Sequence, residues 1–350
     1  MDQLEEIVGI VKTISEYLKS GKMGCDQVPT DDILYVIREE YKRVGQDPTE
    51  ASDYYGNLIN GCILKNDSIT LSNVLNCVVL QCMTLAELYG MRATNFDLKL
   101  YPYKAEIHYY RNLIKNQEWL KHNPIDKLSD FSGRGAVFSA VTGGYDSIRD
   151  PEVVDDRLDY YLFTDSDNIQ SDVYKVIKVD NEEELDPVRF SKKIKIIGNW
   201  EYLREYDFTI WMDGKLQITG DLIGYIKEYS KGAPLLCFNH YNRDDLYEEA
   251  RVCASIGIDD PEIIQNQVER YRAEGFPEHY GLIDACLLVK DNKSESLKRA
   301  MNDWWTEVKN GSKRDQLSFS YAFWKNNVIF DTSPLLSIDN PVVRTHKHTL

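Results

Sequence analysis

The chain has 350 residues, about the length of two average domains, and a hydrophobic fraction of 43%, which allows a packed core and excludes global disorder. Its formal net charge of -16 argues against a nucleic-acid-binding protein and against charge-driven docking on anionic lipid, because both partners are themselves negative. A nucleotide is still an acceptable ligand where a metal ion or a local basic cluster screens its phosphates.

The first third of the chain is predicted to be helical. Apolar residues recur at helical spacing after the capping residues Asp31 and Asp32, again from Thr70 to Leu88, and again from Ala105 to Lys121. No catalytic constellation occurs in this part of the sequence. We therefore predict a helical accessory domain over residues 1–130, which also offers a surface for self-association.

The character of the sequence changes near residues 129–135, where β-rich runs begin to alternate with helical segments. The predicted strands are Ala136 to Val141, Tyr160 to Phe163, Val173 to Val179, Phe208 to Met212, Leu235 to Phe238 and Ile283 to Val289. The predicted helices are Pro187 to Tyr202, Leu222 to Tyr229, Pro261 to Glu274 and Ser294 to Lys309. This alternation indicates an α/β domain over residues 133–332, with a mainly parallel sheet flanked by helices. Residues 333–350 are predicted to be a C-terminal tail.

The compartment is predicted from the cysteines and the apolar runs. Seven cysteines without a C-x-x-C pair lie mostly in apolar segments, which favours reduced, buried thiols. The first six residues lack the basic region of a secretory signal, and Gln81 interrupts the longest apolar stretch well short of a membrane span. We expect a cytoplasmic protein without a transmembrane segment, with peripheral binding at the inner membrane face as a further option.

A Gly-Gly turn follows the first strand of the α/β domain, in the run Thr142, Gly143, Gly144, Tyr145, Asp146. Ligands of open α/β sheets bind beyond the carboxyl ends of the strands, and two glycines there let the backbone approach a nucleotide. Tyr145 is placed to stack on a base, and Asp146 to accept a hydrogen bond from the base or ribose. The alternative is an ordinary tight turn.

The strand over residues 208–212 ends abruptly in Asp213, Gly214 and Lys215. A carboxylate at such a tip supplies the hard oxygen ligand that Mg²⁺ or Mn²⁺ requires beside a diphosphate. Gly214 leaves room for phosphate oxygens, and Lys215 adds positive charge. Asp-Gly is also a common turn dipeptide, so the turn alternative stays open.

A third polar group, Arg314, Asp315 and Gln316, stands at the start of an aromatic-rich helix. The free amides at a helix N-terminus favour an anion there. A capping role for Asp315 is the structural alternative.

These pieces together resemble a known family. Residues 136–325 are similar to the glycosyltransferase-like domain of plant mucilage proteins and bacterial capsular-polysaccharide hexosyltransferases, which is distantly similar to glycogenin-type transferases. The matching pieces are Gly143 to Asp146, Tyr161 to Asp165, Asp186 to Arg189 with Lys192, Lys193 and Lys195, Tyr206 and Asp207, Ile210 to Gly214, Phe238 to His240 with Arg243, Tyr247 to Glu249, Gly275 to Glu278, Gly281 to Asp284 and Arg314 to Phe319.

The resemblance implies a GT-A-like fold, a nucleotide-sugar donor and a divalent metal ion, Mn²⁺ or Mg²⁺. Asp213 occupies the place of the metal-binding Asp-x-Asp motif, but Lys215 replaces the second acid. Either another group completes the metal shell, or Lys215 supplies part of the ion's charge.

The resemblance also implies roles for residues outside the three motifs. Arg189 and Lys195 are expected at the diphosphate, whereas the other lysines of that helix are assigned to a solvated face. His240 is expected as a metal ligand or acceptor contact, with a hydrogen-bonded structural role as the alternative. Arg243, expected to pair with Glu248, and Arg314 are predicted to contact the acceptor or the sugar.

The sequence thus predicts a metal-assisted hexosyltransferase that uses a nucleotide sugar, a UDP-sugar by expectation, in capsule or other polysaccharide biosynthesis. Asp213, Asp284, Asp315 and Gln316 are its predicted catalytic residues. The glycogenin-like pattern favours retention of configuration. An inverting reaction would need Asp284 or Asp315 as the base. The alternatives are a sugar nucleotidyltransferase of the same fold and a non-catalytic carbohydrate-binding or assembly protein.

Overall fold

The computed structural model of the chain describes residues 11, 14–43, 47–90, 97–123, 128–144, 148–198, 200–338 and 340–347. The chain divides into two compact units, Met1–Ile114 and Lys115–Leu350.

The first unit is helical, as the apolar spacing predicts. Its helices are α1 (Thr30–Arg43), α2 (Thr49–Lys65), α3 (Ser68–Gly90) and α4 (Asp97–His122), the last of which extends into the second unit. Ile37, Ile59 and Leu75 are fully buried in the core that the helices share. The unit is held together by the apolar face of each helix.

The second unit contains a seven-stranded sheet in the order β3-β2-β1-β4-β7-β6-β8. Its strands are β1 (Gly135–Val141), β2 (Leu158–Thr164), β3 (Lys175–Lys178), β4 (Phe208–Met212), β6 (Leu235–Asn239), β7 (Ile283–Asp291) and β8 (Asp331–Ser333). Only β7 runs antiparallel to its neighbours β4 and β6, so the sheet is mainly parallel. A second sheet pairs β5 (Leu216–Ile218) with β9 (Val343–Thr345).

Helices cover both faces of the large sheet. They are α5 (Pro187–Ile197), α6 (Trp200–Leu203), α7 (Leu222–Tyr229), α8 (Leu246–Ser255), α9 (Pro261–Ala273), α10 (Glu295–Asn310) and α11 (Gln316–Lys325). One core joins the sheet to α5, α10 and α11, and the other joins it to α7 and the small sheet. This mixed α/β architecture fits the GT-A-like class that the sequence predicted.

Side-chain caps explain where most of these helices begin. A carboxylate or hydroxyl accepts a hydrogen bond from a first-turn amide at the N-caps Asp186, Asp221, Asp245, Asp260 and Ser294. Such caps satisfy amides that otherwise have no partner within the helix.

Two boundaries differ from the sequence-based expectation. The unit boundary lies at Lys115, before residue 133, because the end of α4 belongs with the second unit: the Asn116 amide donates to the Phe330 carbonyl at 2.8 Å, and Trp119 Nε1 donates to Asn327 Oδ1 at 2.7 Å. Residues 333–350 are not only a tail, because β9 pairs with β5 inside the unit.

Two further expectations concern the thiols and the membrane. The seven cysteines are buried thiols that take part in no disulfide, as their apolar surroundings predict. Within the described ranges, no helix combines the length and the apolar character that crossing a membrane demands.

Candidate active site

The predicted site residues meet at the carboxyl edge of the large sheet. Strands β1, β4 and β6 end at this edge, and the antiparallel β7 begins there. The Asp213 amide donates to the Cys286 carbonyl at 2.8 Å, and the His240 amide donates to the Leu282 carbonyl at 2.9 Å. The ends of β4 and β6 are therefore both fixed to the start of β7, which brings their polar residues together.

Asp213 is the residue that follows β4. Its side chain is 27% exposed. The Trp211 indole N–H donates to Oδ1 at 2.8 Å, and Lys195 Nζ lies 3.6 Å from the same oxygen. Burial alone would raise the pKa of Asp213, but the nearby lysines outweigh it and lower that pKa. The carboxylate is therefore ionised, and among the described residues its Oδ2 has no hydrogen-bond donor.

Asp315 is paired with two lysines of α5. Its Oδ2 lies 2.7 Å from Lys195 Nζ and 3.0 Å from Lys192 Nζ. Burial opposes ionisation, but the two lysines and Arg314 hold the pKa of Asp315 well below its usual range. Asp315 begins α11, yet its side chain makes no capping hydrogen bond. Its carboxylate is therefore turned to the lysines, and the capping alternative is excluded.

Lys195 is the centre of this cluster. Its side chain is 1% exposed and lies between Asp213 and Asp315. Burial lowers its pKa, but the two carboxylates more than offset that effect and raise it. Lys192, whose side chain is 22% exposed, has its pKa lowered by burial despite Asp315. The cluster consequently contains a permanently charged, buried lysine and a second lysine that reaches solvent.

Lys215 and Asp284 stand beside Asp213. Burial lowers the pKa of Lys215, but Asp213 and then Asp284 raise it above its ordinary value. The Ser337 hydroxyl donates to Asp284 Oδ2. Gly214 separates Asp213 from Lys215 without adding a side chain. Lys192, Lys195 and Lys215 are thus the cations closest to Asp213.

The Gly-Gly turn follows β1 as predicted. Gly143 and Gly144 have φ of 64° and 66°, a region that favours glycine. The Gly143 amide donates to Asp165 Oδ2 at 2.9 Å, and the Thr142 hydroxyl donates to the Pro187 carbonyl at 2.9 Å. The turn is therefore tied both to the end of β2 and to the start of α5. Tyr145 and Asp146 lie outside the described residues.

Arg189 has different partners from those expected. Its Nε donates to the Val308 carbonyl at 3.1 Å and its Nη2 to the Gly311 carbonyl at 2.7 Å, while Nη1 donates to Asp186 Oδ2 at 2.9 Å. These bonds fasten the start of α5 to the carbonyl groups that end α10. Because the guanidinium is committed there, the structure does not support the diphosphate role predicted for Arg189.

His240 belongs to a buried polar network. Its Nδ1 accepts from the Arg243 amide at 3.0 Å, and its Nε2 lies 3.8 Å from Glu249 Oε2. Burial lowers the pKa of His240 to about 4. A neutral ring that accepts at Nδ1 carries its proton on Nε2, so neither nitrogen has a lone pair free for an ion. This geometry supports the hydrogen-bonded alternative over the metal role.

Glu249 is the carboxylate that binds both predicted arginines. Arg243 Nη2 lies 2.6 Å from Oε2, and Arg314 Nη2 lies 3.2 Å from Oε1. Glu248, the predicted partner of Arg243, instead supplies the backbone amide that Asp245 caps. The difference is one of helical phase, since Glu249 lies on the buried face of α8. Arg243 and Arg314 therefore converge on one buried acid.

Gln316 fixes the start of β7. Its Nε2 donates to the Ile283 carbonyl at 2.7 Å, and within the described residues its Oε1 is buried without a hydrogen-bond partner. An unsatisfied buried acceptor is unfavourable, so Oε1 is a candidate to accept from a ligand.

The described residues fit a metal ion poorly. They include no group of three or more His, Cys, Asp or Glu side chains that together could hold an ion. Asp213 offers one open carboxylate oxygen, and lysines fill the surrounding positions. Positive charge at this edge therefore comes from Lys192, Lys195 and Lys215.

The sequence-based prediction assigned Lys192 to a solvated helix face, which is wrong, and gave Glu249 no role. Lys192 precedes Lys195 by three residues, which places both on one helical face. Glu249 precedes the buried Cys253 by four residues, which indicates its inward direction in the same way. Both signals were present in the sequence, but they become informative only once the helices and their buried faces are assigned.

Comparisons with known proteins point to sugar transfer. The model of the TOD1/MUCI70, glycosyltransferase-like domain family matches residues 125–337. The chain is 24% identical over 212 residues to the Arabidopsis thaliana protein named "Probable hexosyltransferase MUCI70", covering 53% of this chain and 36% of that protein. A solved structure, the apo form of the WbbM bifunctional glycosyltransferase, aligns with a TM-score of 0.34 and 12% identity over 76% of this chain and 52% of its own. The chain thus spans about half or less of either protein, and the structural similarity is too distant to establish a shared activity.

Proposed function

Because the chain belongs to the TOD1/MUCI70 glycosyltransferase-like domain family, we propose that it moves a hexose from a nucleotide sugar, specifically a UDP-sugar, to a glycan or polysaccharide acceptor. The matched residues 125–337 include every candidate residue of the sheet edge. Family membership confirms the predicted glycosyltransferase class. Beyond that class, we propose the UDP-sugar donor, the glycan or polysaccharide acceptor and the stereochemistry of transfer.

The observation that carries the proposal is the position of Lys195 between Asp213 and Asp315. A buried cation that pairs with two carboxylates holds both in fixed positions. These carboxylates lie at the edge where open α/β sheets bind ligands. Of the carboxylate oxygens in this cluster, Asp213 Oδ2 is the one open to a ligand. We propose that it accepts a hydrogen bond from a hydroxyl group of the sugar donor.

Transfer requires stabilisation of the departing diphosphate, so fixed positive charge matters more than a strong nucleophile. Lys192 and Lys195 pair with Asp315, and Lys215 stands beside Asp213 and Asp284. Lys215, beside the partly exposed Asp213, is the best placed to meet the diphosphate. Of the two alternatives for the missing second acid, we therefore propose that Lys215 supplies charge that an ion would otherwise supply.

The carboxylates differ in their suitability as a base. Asp315 is buried, paired with two lysines and held at a lowered pKa, so it is a weak proton acceptor. Asp284 is less buried, and its donor is the neutral Ser337 hydroxyl where Asp315 faces two lysines, so Asp284 is the stronger candidate if configuration inverts. We propose retention from the glycogenin-like pattern, and proton NMR of the anomeric product tests it.

The direct test is a donor-hydrolysis and transfer assay with UDP-, GDP- and TDP-hexoses, combined with nucleotide binding by calorimetry. We expect one donor class to be consumed, and Asp213→Ala to weaken both binding and turnover. Asp156→Ala is the matched control, because Asp156 is exposed and precedes the start of β2, at the opposite edge of the sheet. If no donor is consumed and Asp213→Ala binds nucleotide like the wild type, the proposal is wrong.

The same assay separates the two alternatives. A nucleotidyltransferase would consume a nucleoside triphosphate and release pyrophosphate. A non-catalytic carbohydrate-binding protein would bind a glycan in the absence of nucleotide and would consume no donor. Either result would replace sugar transfer as the function of this edge.

A further inference from the structure

A cavity of about 210 Å³ lies at the amino edge of the large sheet. It is open to solvent on one side and is bounded by the start of β4, the end of β7, the end of α5 and one face of α10. Apolar side chains form most of its wall, among them Ile196, Leu203, Leu297 and Met301. Because Asp213 follows the opposite end of β4, this cavity is separate from the candidate active site.

A buried lysine faces the cavity. Lys290 is 6% exposed and lines the cavity near the end of β7. Its Nζ donates to the Lys195 carbonyl at 2.9 Å and lies 4.6 Å from the centre of the Phe138 ring. Among the described residues no carboxylate pairs with this ammonium group. Buried charges in proteins are normally paired, so Lys290 lacks the counter-charge that its position requires.

The other charged groups near Lys290 do not supply that counter-charge. Asp291 is held by the Ser129 hydroxyl at Oδ2, 2.6 Å away, and by the Lys293 amide at Oδ1, 2.9 Å away. Lys298, on the α10 side, is itself paired with Glu295 at 2.7 Å. Burial lowers the pKa of Lys290 to about 7, and the Lys195 cation lowers it further. Among the described residues of the cavity wall, Lys290 is therefore a cation without a carboxylate partner, set beside mostly apolar surface.

We propose that this cavity binds a small organic carboxylate with an apolar body, and that Lys290 is its counter-ion. A carboxylate would pair with the ammonium group, while the apolar body would occupy the wall formed by α5 and α10. A cavity of about 150 Å³ is enough to hold benzene, so a space of this size accommodates a ring that bears one carboxylate. The proposal goes beyond sugar transfer and does not depend on it.

Isothermal titration calorimetry of the full chain with sodium benzoate tests the site. We expect saturable binding with one site per chain, and at least about tenfold weaker binding of benzamide, which has the same shape but no charge. At pH 8 the wild type should take up a proton with benzoate, because the carboxylate stabilises the charged form of Lys290. That uptake appears as a dependence of the measured heat on the buffer's ionisation enthalpy.

Three variants locate the binding. Lys290→Met should abolish the preference for benzoate over benzamide. Leu297→Phe retains Lys290 but should fill the cavity, so this variant should bind neither ligand. Lys293→Met is the matched control, because Lys293 pairs with Asp207 outside the cavity, and it should bind benzoate like the wild type. Thermal unfolding verifies that each variant is folded. If Lys290→Met does not fold, the affinity of Leu297→Phe for benzoate tests the proposal instead.

The proposal is overturned if benzoate gives no saturable heat, if benzamide binds equally well, or if Leu297→Phe keeps full affinity.

Discussion

Lys195 places its ammonium nitrogen 2.7 Å from a carboxylate oxygen of Asp315, and both side chains are almost completely shielded from solvent. The pair joins α5 to the start of α11, and Lys195 also reaches Asp213 at 3.6 Å. Removal of either partner would leave an uncompensated charge in the interior. The arrangement is therefore both a structural tie and the scaffold of the candidate site.

Lys195→Met should lower the free energy of unfolding by about 3–5 kcal/mol, the usual cost of breaking a buried pair. Asp315→Leu should cost a comparable amount, and the double variant should cost less than the two single changes together, because it leaves neither charge of the pair unpaired. Urea unfolding monitored by circular dichroism measures all three.

Lys193→Met is the control for these variants. Lys193 belongs to the same helix but pairs with Glu183 at the surface, so the change should cost no more than about 1 kcal/mol. Strict additivity of the two buried substitutions would contradict the pairing seen in the structure.

Asp213→Asn should reduce kcat/KM of the proposed transfer by about 10²-fold or more, as is typical when a fixed electrostatic group is lost from a site. The amide oxygen can still accept from Trp211 Nε1, so the fold should be preserved. Initial rates with the donor that is consumed give the result. Asp156→Asn, at the opposite edge of the sheet, should leave the rate unchanged. Wild-type activity in the Asp213→Asn variant would show that Asp213 takes no part in the transfer.

A substitution at Lys215 tests whether this lysine supplies the positive charge that meets the diphosphate. Lys215→Met should raise the KM for the donor by about tenfold, the loss of one charge-assisted contact to the diphosphate. EDTA should change the wild-type rate by no more than about threefold. The reason is that the lysines supply the positive charge that a metal ion, held by a second acid, would otherwise supply. Loss of activity in EDTA with recovery on Mn²⁺ would instead show that another group completes a metal shell.

Local pattern predicted several elements of the second unit, although the predicted helix over residues 187–202 ends at Ile197. The strand at residues 208–212 and the helix at residues 222–229 match the structure, because each is an apolar run with a clear end. The pairing of β5 with β9 escaped prediction, since Ile218 meets Val343 across more than 100 residues of chain and each strand has only three residues. Contacts at that separation leave no local periodicity.

The sequence predicted which residues lie in the candidate site, but not which of them pair with one another. The resemblance identified Asp213, Lys195 and Asp315, which the structure brings together. It could not show that Arg189 is committed to carbonyl groups of α10, because that contact depends on how two distant helices pack. The choice between Glu248 and Glu249 likewise depends on the phase of a helix that the sequence analysis did not assign.

His240 should make stability depend on pH. Its pKa is about 4 in the folded protein because of burial, whereas an unfolded histidine titrates near 6.5. The unfolded chain therefore binds more protons between these values, so the contribution is complete above pH 6.5 and is lost as the pH falls toward 4, by up to about 3 kcal/mol. His240→Asn keeps an acceptor for the Arg243 amide and should flatten this dependence, as urea unfolding between pH 4 and pH 7 would show. Equal slopes in the two proteins would contradict the assignment.

Gly143 and Gly144 offer a matched pair for the turn beside the site. Both have positive φ, so an alanine at either position should cost about 1 kcal/mol in backbone strain. Among the described residues nothing lies within 4 Å of a Cβ on Gly144, whereas a Cβ on Gly143 would lie 2.6 Å from Pro187 Cβ. Gly143→Ala must therefore displace either the turn or the start of α5, which carries Lys192 and Lys195. We expect Gly144→Ala to keep most donor affinity and Gly143→Ala to lose it by at least about tenfold, measured by calorimetry. Similar affinities in the two variants would show that the spacing between this turn and α5 does not matter for binding.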